Sequence, residues 1–303
     1  MDLFHYEIQS GNFGDDLNLW LWDEILPGWR EMRPGTVLVG VGTLLNNKLP
    51  RGRRKLVLGS GVGYGDLPDP ALMAECEFLS VRGPRSAKAL GLPESRGIID
   101  PAMLIADIPA FRGIAKSGPA IFIPHHDSTH RADWARLCAK AGIAYVSPEG
   151  EAREVIRRIA AAPLVITESM HGAILADAFG TPWLPVIISH RFNDWKWQDW
   201  AGSLGMTLDI PSLFPLTQRL ARLLPRQQRK PALPTAARSS APAKPHTPST
   251  RHKLRLALES MQAEGRLRSL ATQPGLLSDR KALNEAKTRY RAMLAELREK
   301  AVA

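Results

Sequence analysis

Short apolar runs alternating with stretches of helical spacing constrain this chain more than any other feature. A parallel sheet covered on both faces is the architecture that buries such runs. Runs at 3–7, 36–41, 55–58 and 78–81 read as strands, and a second set follows at 120–123, 144–146, 164–167 and 183–188. Between them, 17–25, 85–90, 132–141, 152–161 and 172–179 have helical spacing. The series restarts after the loop signal Lys116-Ser117-Gly118-Pro119. The pattern predicts an α/β fold with two Rossmann-like domains, 1–110 and 118–212, facing each other across a cleft. Ligands of such sheets bind beyond the carboxyl ends of the strands. A length of 303 residues suits two domains of about 100–150 residues each.

Charge is unevenly placed. Residues 1–218 carry 21 Lys+Arg against 24 Asp+Glu, whereas 219–303 carry 19 against 6. The body is slightly acidic, and the excess of +10 comes wholly from the tail. The tail has one aromatic residue, Tyr290, so it lacks the stacking platforms of a nucleic-acid binder. Residues 225–250 read as a Pro/Ala-rich linker, and 251–303 as a basic helical tail. Leu254, Ala257, Leu258 and Met261 have helical spacing, and Leu283, Ala286, Tyr290, Met293 and Leu297 step as a short heptad seam. A basic amphipathic tail suits peripheral contact with anionic lipid, a solvated extension or a dimerising hairpin. No window is apolar enough to span a bilayer, the N-terminus lacks the pattern of a secretory signal, and Cys76 and Cys138 form no disulfide framework. The expected location is cytoplasmic.

Seven segments carry candidate chemistry. Gly11-Asn12-Phe13-Gly14-Asp15-Asp16 lies between a strand and a helix, where Asn12 and Asp15 suit sugar hydroxyls and the acidic pair equally suits helix capping. The glycine clusters at 40–42 and 59–65 follow strands without matching the dinucleotide fingerprint; they are open to a ligand's approach or are tight turns. Ser80-Val81-Arg82-Gly83-Pro84-Arg85-Ser86 sets two arginines and a hydroxyl at a strand end, a donor set for phosphate or carboxylate, or for a surface salt bridge. His125 and His126 follow the next strand. Adjacent residues of an extended chain point opposite ways, so the pair is not expected to share a metal, and no metal site is expected elsewhere. Glu168-Ser169-Met170-His171-Gly172 carries a strand into a helix. There His171 suits a proton donor beside a bound anion, or a cap for its own helix. In the stretch 190–200, Trp195, Trp197 and Trp200 mix with Arg191, Lys196 and Asp199, a composition that suits sugar rings or packing of an amphipathic helix.

In their order and spacing these segments resemble the polysaccharide pyruvyl transferase family. The residues that carry the resemblance are Asn12-Phe13-Gly14-Asp15-Asp16, the segment from Ser80 to Ser86, Asp100-Pro101 and the segment from Glu168 to Ala178. Asn12 to Trp22 and Lys196 to Trp200 are similar to the subgroup that adds ketal pyruvate to succinoglycan-type exopolysaccharides. The resemblance covers about residues 1–212. It implies a GT-B-like pair of domains, phosphoenolpyruvate as donor, a saccharide diol or lipid-linked oligosaccharide as acceptor, and a carboxyethylidene ketal as product. No cofactor is implied. It also implies a catalytic histidine, matched by His171, and a donor-binding arginine, matched by Arg82. Many members read Arg-Leu-His where this chain reads Ser169-Met170-His171, so a second donor-binding cation has to come from elsewhere, with Arg85 and Arg191 as candidates.

The expected site therefore has His171 as general acid, with Asp15 taking a hydroxyl proton. Arg82, Arg85, Ser86, Ser169, Met170 and Gly172 are expected at the donor. Asn12, His125, Arg191, Trp195 and Trp197 are expected at the acceptor. Two other readings share the fold, a nucleotide-sugar glycosyltransferase and a catalytically silent carbohydrate-binding or assembly protein.

Overall fold

The computed structural model describes residues 1–214 and 250–302, with side chains described to 214 and from 258 to 301. The eight expected strands are present, mostly shortened by one to three residues. One parallel sheet has the order β1-β2-β3-β4, formed by Asp2–Phe4, Val37–Val39, Lys55–Leu58 and Cys76–Ser80. A second parallel sheet has the order β6-β5-β7-β8, with β5 at Ile121–Ile123, β6 at Ala144–Tyr145, β7 at Val165–Thr167 and β8 at Trp183–Pro185. Runs such as Val37-Leu38-Val39 and Val165-Ile166-Thr167 are buried throughout, as parallel strands covered on both faces require.

The helices of the first half are α1 (Leu21–Ile25), α2 (Trp29–Met32), α3 (Pro70–Ala74) and α4 (Pro84–Ala89). Those of the second are α5 (Trp134–Ala141), α6 (Ala152–Ala161), α7 (Met170–Ala178) and α8 (Asp194–Ser203). Local chemistry sets their starts. Asp133 caps α5 through the Arg136 amide, Glu151 caps α6 through the Arg153 and Glu154 amides, and Asn193 caps α8 through the Lys196 amide. All nine residues of α7 are buried, so this helix lies inside the molecule rather than on it. One apolar cluster contains residues of both sheets, among them Leu38, Leu58, Ile121 and Val165, together with Ile174 of α7.

Two further helices, α9 (Thr250–Leu270) and α10 (Arg280–Val302), fall in the basic tail. The expected linker lies, up to residue 249, outside the described residues, as do the side chains of Leu254 and Ala257. The buried face of α9 is set by Ala263, Leu267 and Leu270, which pack with α5 residues, whereas Leu258 and Met261 are exposed. The seam of α10 is neither a coiled coil nor a free amphipathic face. Leu283, Ala286, Tyr290 and Leu297 are buried in the main core, and the Tyr290 hydroxyl donates to the Leu58 carbonyl at 3.0 Å. Asp177 of α7 anchors the approach to α10 by accepting from the Ser278 amide and hydroxyl and from Arg280. Among the described residues, no helix is long and apolar enough to cross a membrane.

Candidate functional site

A cavity of about 600 Å³ lies at the carboxyl ends of strands from both sheets. The loop after β1 contributes Tyr6, that after β2 Thr43 and Lys48, and that after β3 Tyr64. The second sheet contributes His125, His126 and Asp127 after β5, Ser169, Met170 and His171 after β7, and Arg191 and Lys196 after β8. Convergence of strand ends is what the parallel topology provides for a ligand site.

The turn between β1 and the first helical segment brings Asn12 and Asp15 to this cavity. The Asn12 amide group donates to the Asp15 carboxylate, and the Asn18 amide group ties the turn to the loop after β2 through the Asp15 and Val41 carbonyls. The Phe13 amide donates to the Pro148 carbonyl at 3.0 Å, so the turn also rests on the second half. Burial pushes the Asp15 carboxyl up to about 7, against the opposing pull of Lys196. Gly14 has a steric reason: a β-carbon there would sit 2.0 Å from His171 Nδ1. The early turn and the late helix are thus fitted to one another.

His171 stands in the first turn of α7, 8% exposed, and its Nε2 has no hydrogen-bond partner among the described residues. The helix is capped by Ser169, whose hydroxyl accepts the Gly172 amide, so His171 is not needed as a cap. Burial, then Lys196 and Arg82, push its imidazole down to about 3. It is neutral at physiological pH. The preceding Glu168 is structural. Its carboxylate accepts from the His125, Ile188 and Ser189 amides and so joins the loops after β5 and β8. Gly172 departs from its expected donor contact. A β-carbon there would meet Thr167 Oγ1 at 2.6 Å, so the glycine lets the helix start against the end of β7.

Arg82 also departs from expectation. It is fully buried and does not line the cavity. Its Nε donates to Asp199 at 3.1 Å, Nη1 to Thr43 Oγ1 at 2.8 Å and Nη2 to the Val62 carbonyl at 2.8 Å. Ser86 is equally committed, its amide and hydroxyl both donating to Asp199. Gly61 lies against the guanidinium, where a β-carbon would be 2.3 Å from its central carbon. The glycine cluster thus makes room for this protein's own arginine. Arg85 is exposed on α4 and does not line the cavity. Arg82 therefore reaches the site only through Thr43 and through its field.

The tryptophans are corrected in the same way. Trp197 is completely buried, with its ring centroid 5.5 Å from Phe192 and 6.4 Å from Trp183 and Trp200. Trp195 is half-buried against the apolar cluster around β2 and β3. Neither lines the cavity, whose aromatic walls are Phe4, Tyr6 and Tyr64. The residue of this segment that does line it is Lys196, which sequence reasoning left out of the site. Lys196 is 7% exposed, and its ammonium donates to the Tyr64 hydroxyl at 2.7 Å. Burial, then Arg82, push it down to about 8. Arg191 lines the cavity as expected, with an exposed side chain.

The two adjacent histidines do not diverge, because the chain leaves extended geometry and enters a 3₁₀ turn at His126. Their ring centroids are 4.1 Å apart, and ligand atoms of His125, His126 and Asp127 lie within 4.8 Å of one another. Adjacency in sequence therefore does not separate the two rings, contrary to expectation. His125 Nδ1 accepts the Asp127 amide at 3.3 Å, and burial keeps that imidazole neutral.

The family model described as polysaccharide pyruvyl transferase matches residues 11–190, which run from the early turn to the loop after β8. The chain is also similar to the succinoglycan biosynthesis protein ExoV of Rhizobium meliloti (strain 1021). The two are 49% identical over 225 residues, covering 74% of this chain and 71% of that protein.

Proposed function

Because the chain belongs to the polysaccharide pyruvyl transferase family, and so is a transferase, we propose that it moves pyruvate from phosphoenolpyruvate to a saccharide diol. The product is a carboxyethylidene ketal on an exopolysaccharide precursor. The similarity to a succinoglycan biosynthesis protein favours an acceptor of that class, a lipid-linked oligosaccharide. The two parallel sheets are read as two facing Rossmann-like domains, 1–110 and 118–212, in a GT-B-like arrangement. The observation that carries the proposal is the buried, unpartnered His171 in a cavity that both sheets line.

The chemistry follows from these surroundings. His171 is kept neutral chiefly by burial, and Lys196 and Arg82 also oppose its charging. The negative charges of phosphoenolpyruvate offset the two cations and stabilise an imidazolium beside them, so the imidazole takes up a proton as the donor binds. It delivers this proton to the methylene carbon, and the central carbon becomes oxocarbenium-like. One sugar hydroxyl adds there. The carbon–oxygen bond to phosphate breaks with its electron pair, and the neighbouring hydroxyl closes the ketal. Of the two hydroxyl protons released, one restores the acid and the other leaves with phosphate. Asp15, held near neutrality by burial, orients a hydroxyl with Asn12 and relays its proton. Arg82 acts as a positioning residue behind Thr43.

The test is phosphate release with phosphoenolpyruvate and a succinoglycan-type oligosaccharide. His171→Ala should reduce turnover by about 10²–10⁴-fold with little change in melting temperature. Wild-type turnover in that variant would remove His171 from the mechanism. A melting temperature raised by UDP and not by phosphoenolpyruvate would replace the proposal with glycosyl transfer.

We propose further that the lipid-linked acceptor lies at the inner membrane face, which gives the exposed Lys281, Arg289, Arg298 and Lys300 of α10 a use against anionic lipid, at about 1 kcal/mol per residue near the surface. Reversing these four charges should abolish sedimentation with anionic vesicles. Unchanged sedimentation would overturn the contact. A truncation at residue 218 is unsuited to this test, because it strips buried α10 residues from the core.

A further inference from the structure

Lys196 stands out among the cavity's cations. Lys48 and Arg191 are exposed at the rim, where water answers their charge. Lys196 is buried, and among the described residues its ammonium has one hydrogen-bond partner, the Tyr64 hydroxyl. The carboxylates that act on it are engaged elsewhere. Glu168 accepts three backbone amides and Asp15 accepts from Asn12, while Asp127 is drawn to the two histidines; none forms an ion pair with Lys196. A buried charge without a counter-charge is costly, and a ligand that supplies the counter-charge removes that cost.

The placement is built rather than incidental. The side-chain amide of Asn193, the cap of α8, donates to the Gly63 carbonyl, which joins the start of α8 to the loop carrying Tyr64. A β-carbon on Gly63 would lie 3.4 Å from the Lys196 β-carbon, so the backbone is packed directly on the lysine stem. The start of α7 brings no cation of its own, since Ser169 and Met170 occupy it.

We infer that the Lys196 ammonium and the Tyr64 hydroxyl form the phosphoryl subsite of this cavity. Two ammonium protons remain after the bond to Tyr64, and the phenol proton is free to point toward an oxyanion. A compact charge with several donors is a lysine's mode of phosphate recognition. The inference rests on the donor reading above only in naming phosphoenolpyruvate as the molecule that brings the phosphoryl group. Burial lowers the ammonium to about 8, with Arg82 adding to the shift and Asp15, Glu168 and Asp127 opposing it, so Lys196 is charged at neutral pH.

The experiment is calorimetric titration of inorganic phosphate, and separately of phosphoenolpyruvate, into wild type, Lys196→Met, Lys196→Arg and Tyr64→Phe. Methionine keeps the buried stem, and Tyr64→Phe changes an exposed ring, so the second variant tests the subsite should the first fail to fold. Lys196→Met is expected to weaken phosphate binding at least about ten-fold, with Lys196→Arg restoring most of it and Tyr64→Phe costing a smaller factor. In turnover, Lys196→Met should raise KM for the donor more than it lowers kcat. Phosphate binding that is equal in wild type and in both the Lys196→Met and Tyr64→Phe variants, or absent from wild type, overturns the subsite. Phosphate binding lost in Lys196→Met, while wild type ignores phosphoenolpyruvate, keeps the subsite and rejects the donor.

Discussion

The end of β4 and the first turn of α8 each bring a basic side chain into the interior, and they differ in what answers its charge. Arg82 meets Asp199, a threonine hydroxyl and a carbonyl, and Asp199 in turn accepts from Ser86. Lys196 meets a phenol. The first arrangement is complete without a ligand, whereas the second is not. A strand-end arginine is the more conspicuous residue in the sequence, yet the less conspicuous lysine faces the cavity. Burial alone does not distinguish a cation that holds a fold together from one held ready for an anion. The state of its partners does.

The comparison can be broken most directly at Arg82. Arg82→Met leaves Asp199 buried with its charge unanswered, and should cost about 3–5 kcal/mol in unfolding free energy, measured by denaturant titration. A loss below 1 kcal/mol would show that this pair is not a structural latch.

A second and smaller effect concerns acid. His171 and His125 fall from an ordinary value of 6.5 to about 3 and about 2, chiefly through burial. Below 6.5 the unfolded chain takes up protons that the folded chain refuses, so their contribution to stability is full above 6.5 and is lost as pH falls. Asp15, raised from 3.8 to about 7, acts in the opposite sense and stabilises the fold progressively between those values as pH falls. His171→Asn removes one of the two destabilising contributions, so its melting temperature should fall less steeply than that of wild type from pH 6.5 to 4. Parallel curves would mean that His171 titrates normally in the fold.

The smallest effect is expected at Lys196. Lys196→Met removes an unanswered charge and keeps the packing, so stability should stay within about 0.5 kcal/mol of wild type or rise. A loss comparable to that of Arg82→Met would erase the distinction between the two sites.

Much of the fold was legible because strand and helix patterning is local. Runs such as 55–58 and 152–161 carry their periodicity within themselves, and the elements observed there have those same bounds. Asn12, Asp15, Ser169, Met170, His171, His125 and Arg191 were legible as cavity residues because each stands near a strand end in a parallel sheet. Partnerships were not legible. Arg82 and Asp199 are 117 positions apart, and no local pattern says that the guanidinium is already taken. The stretch from Trp195 to Trp200 misled for a related reason. Its tryptophans suit a sugar, but three in six residues leave a short helix apolar around much of its circumference. That same fact held the missed signal. A helix enclosed on several sides carries Lys196 and Asp199 inward with it, and inward charges have to be answered by something.

The Tyr290 hydroxyl closes on the Leu58 carbonyl across 232 positions, and the apolar face of α10 completes a core begun by the first sheet. The consequence is one of timing during synthesis. At about 5–20 residues per second, β3 is made some 12–46 seconds before Tyr290. Throughout that interval the nascent chain shows a greasy groove that α10 is shaped to fill. Chaperone occupancy on stalled nascent chains should therefore persist until α10 emerges.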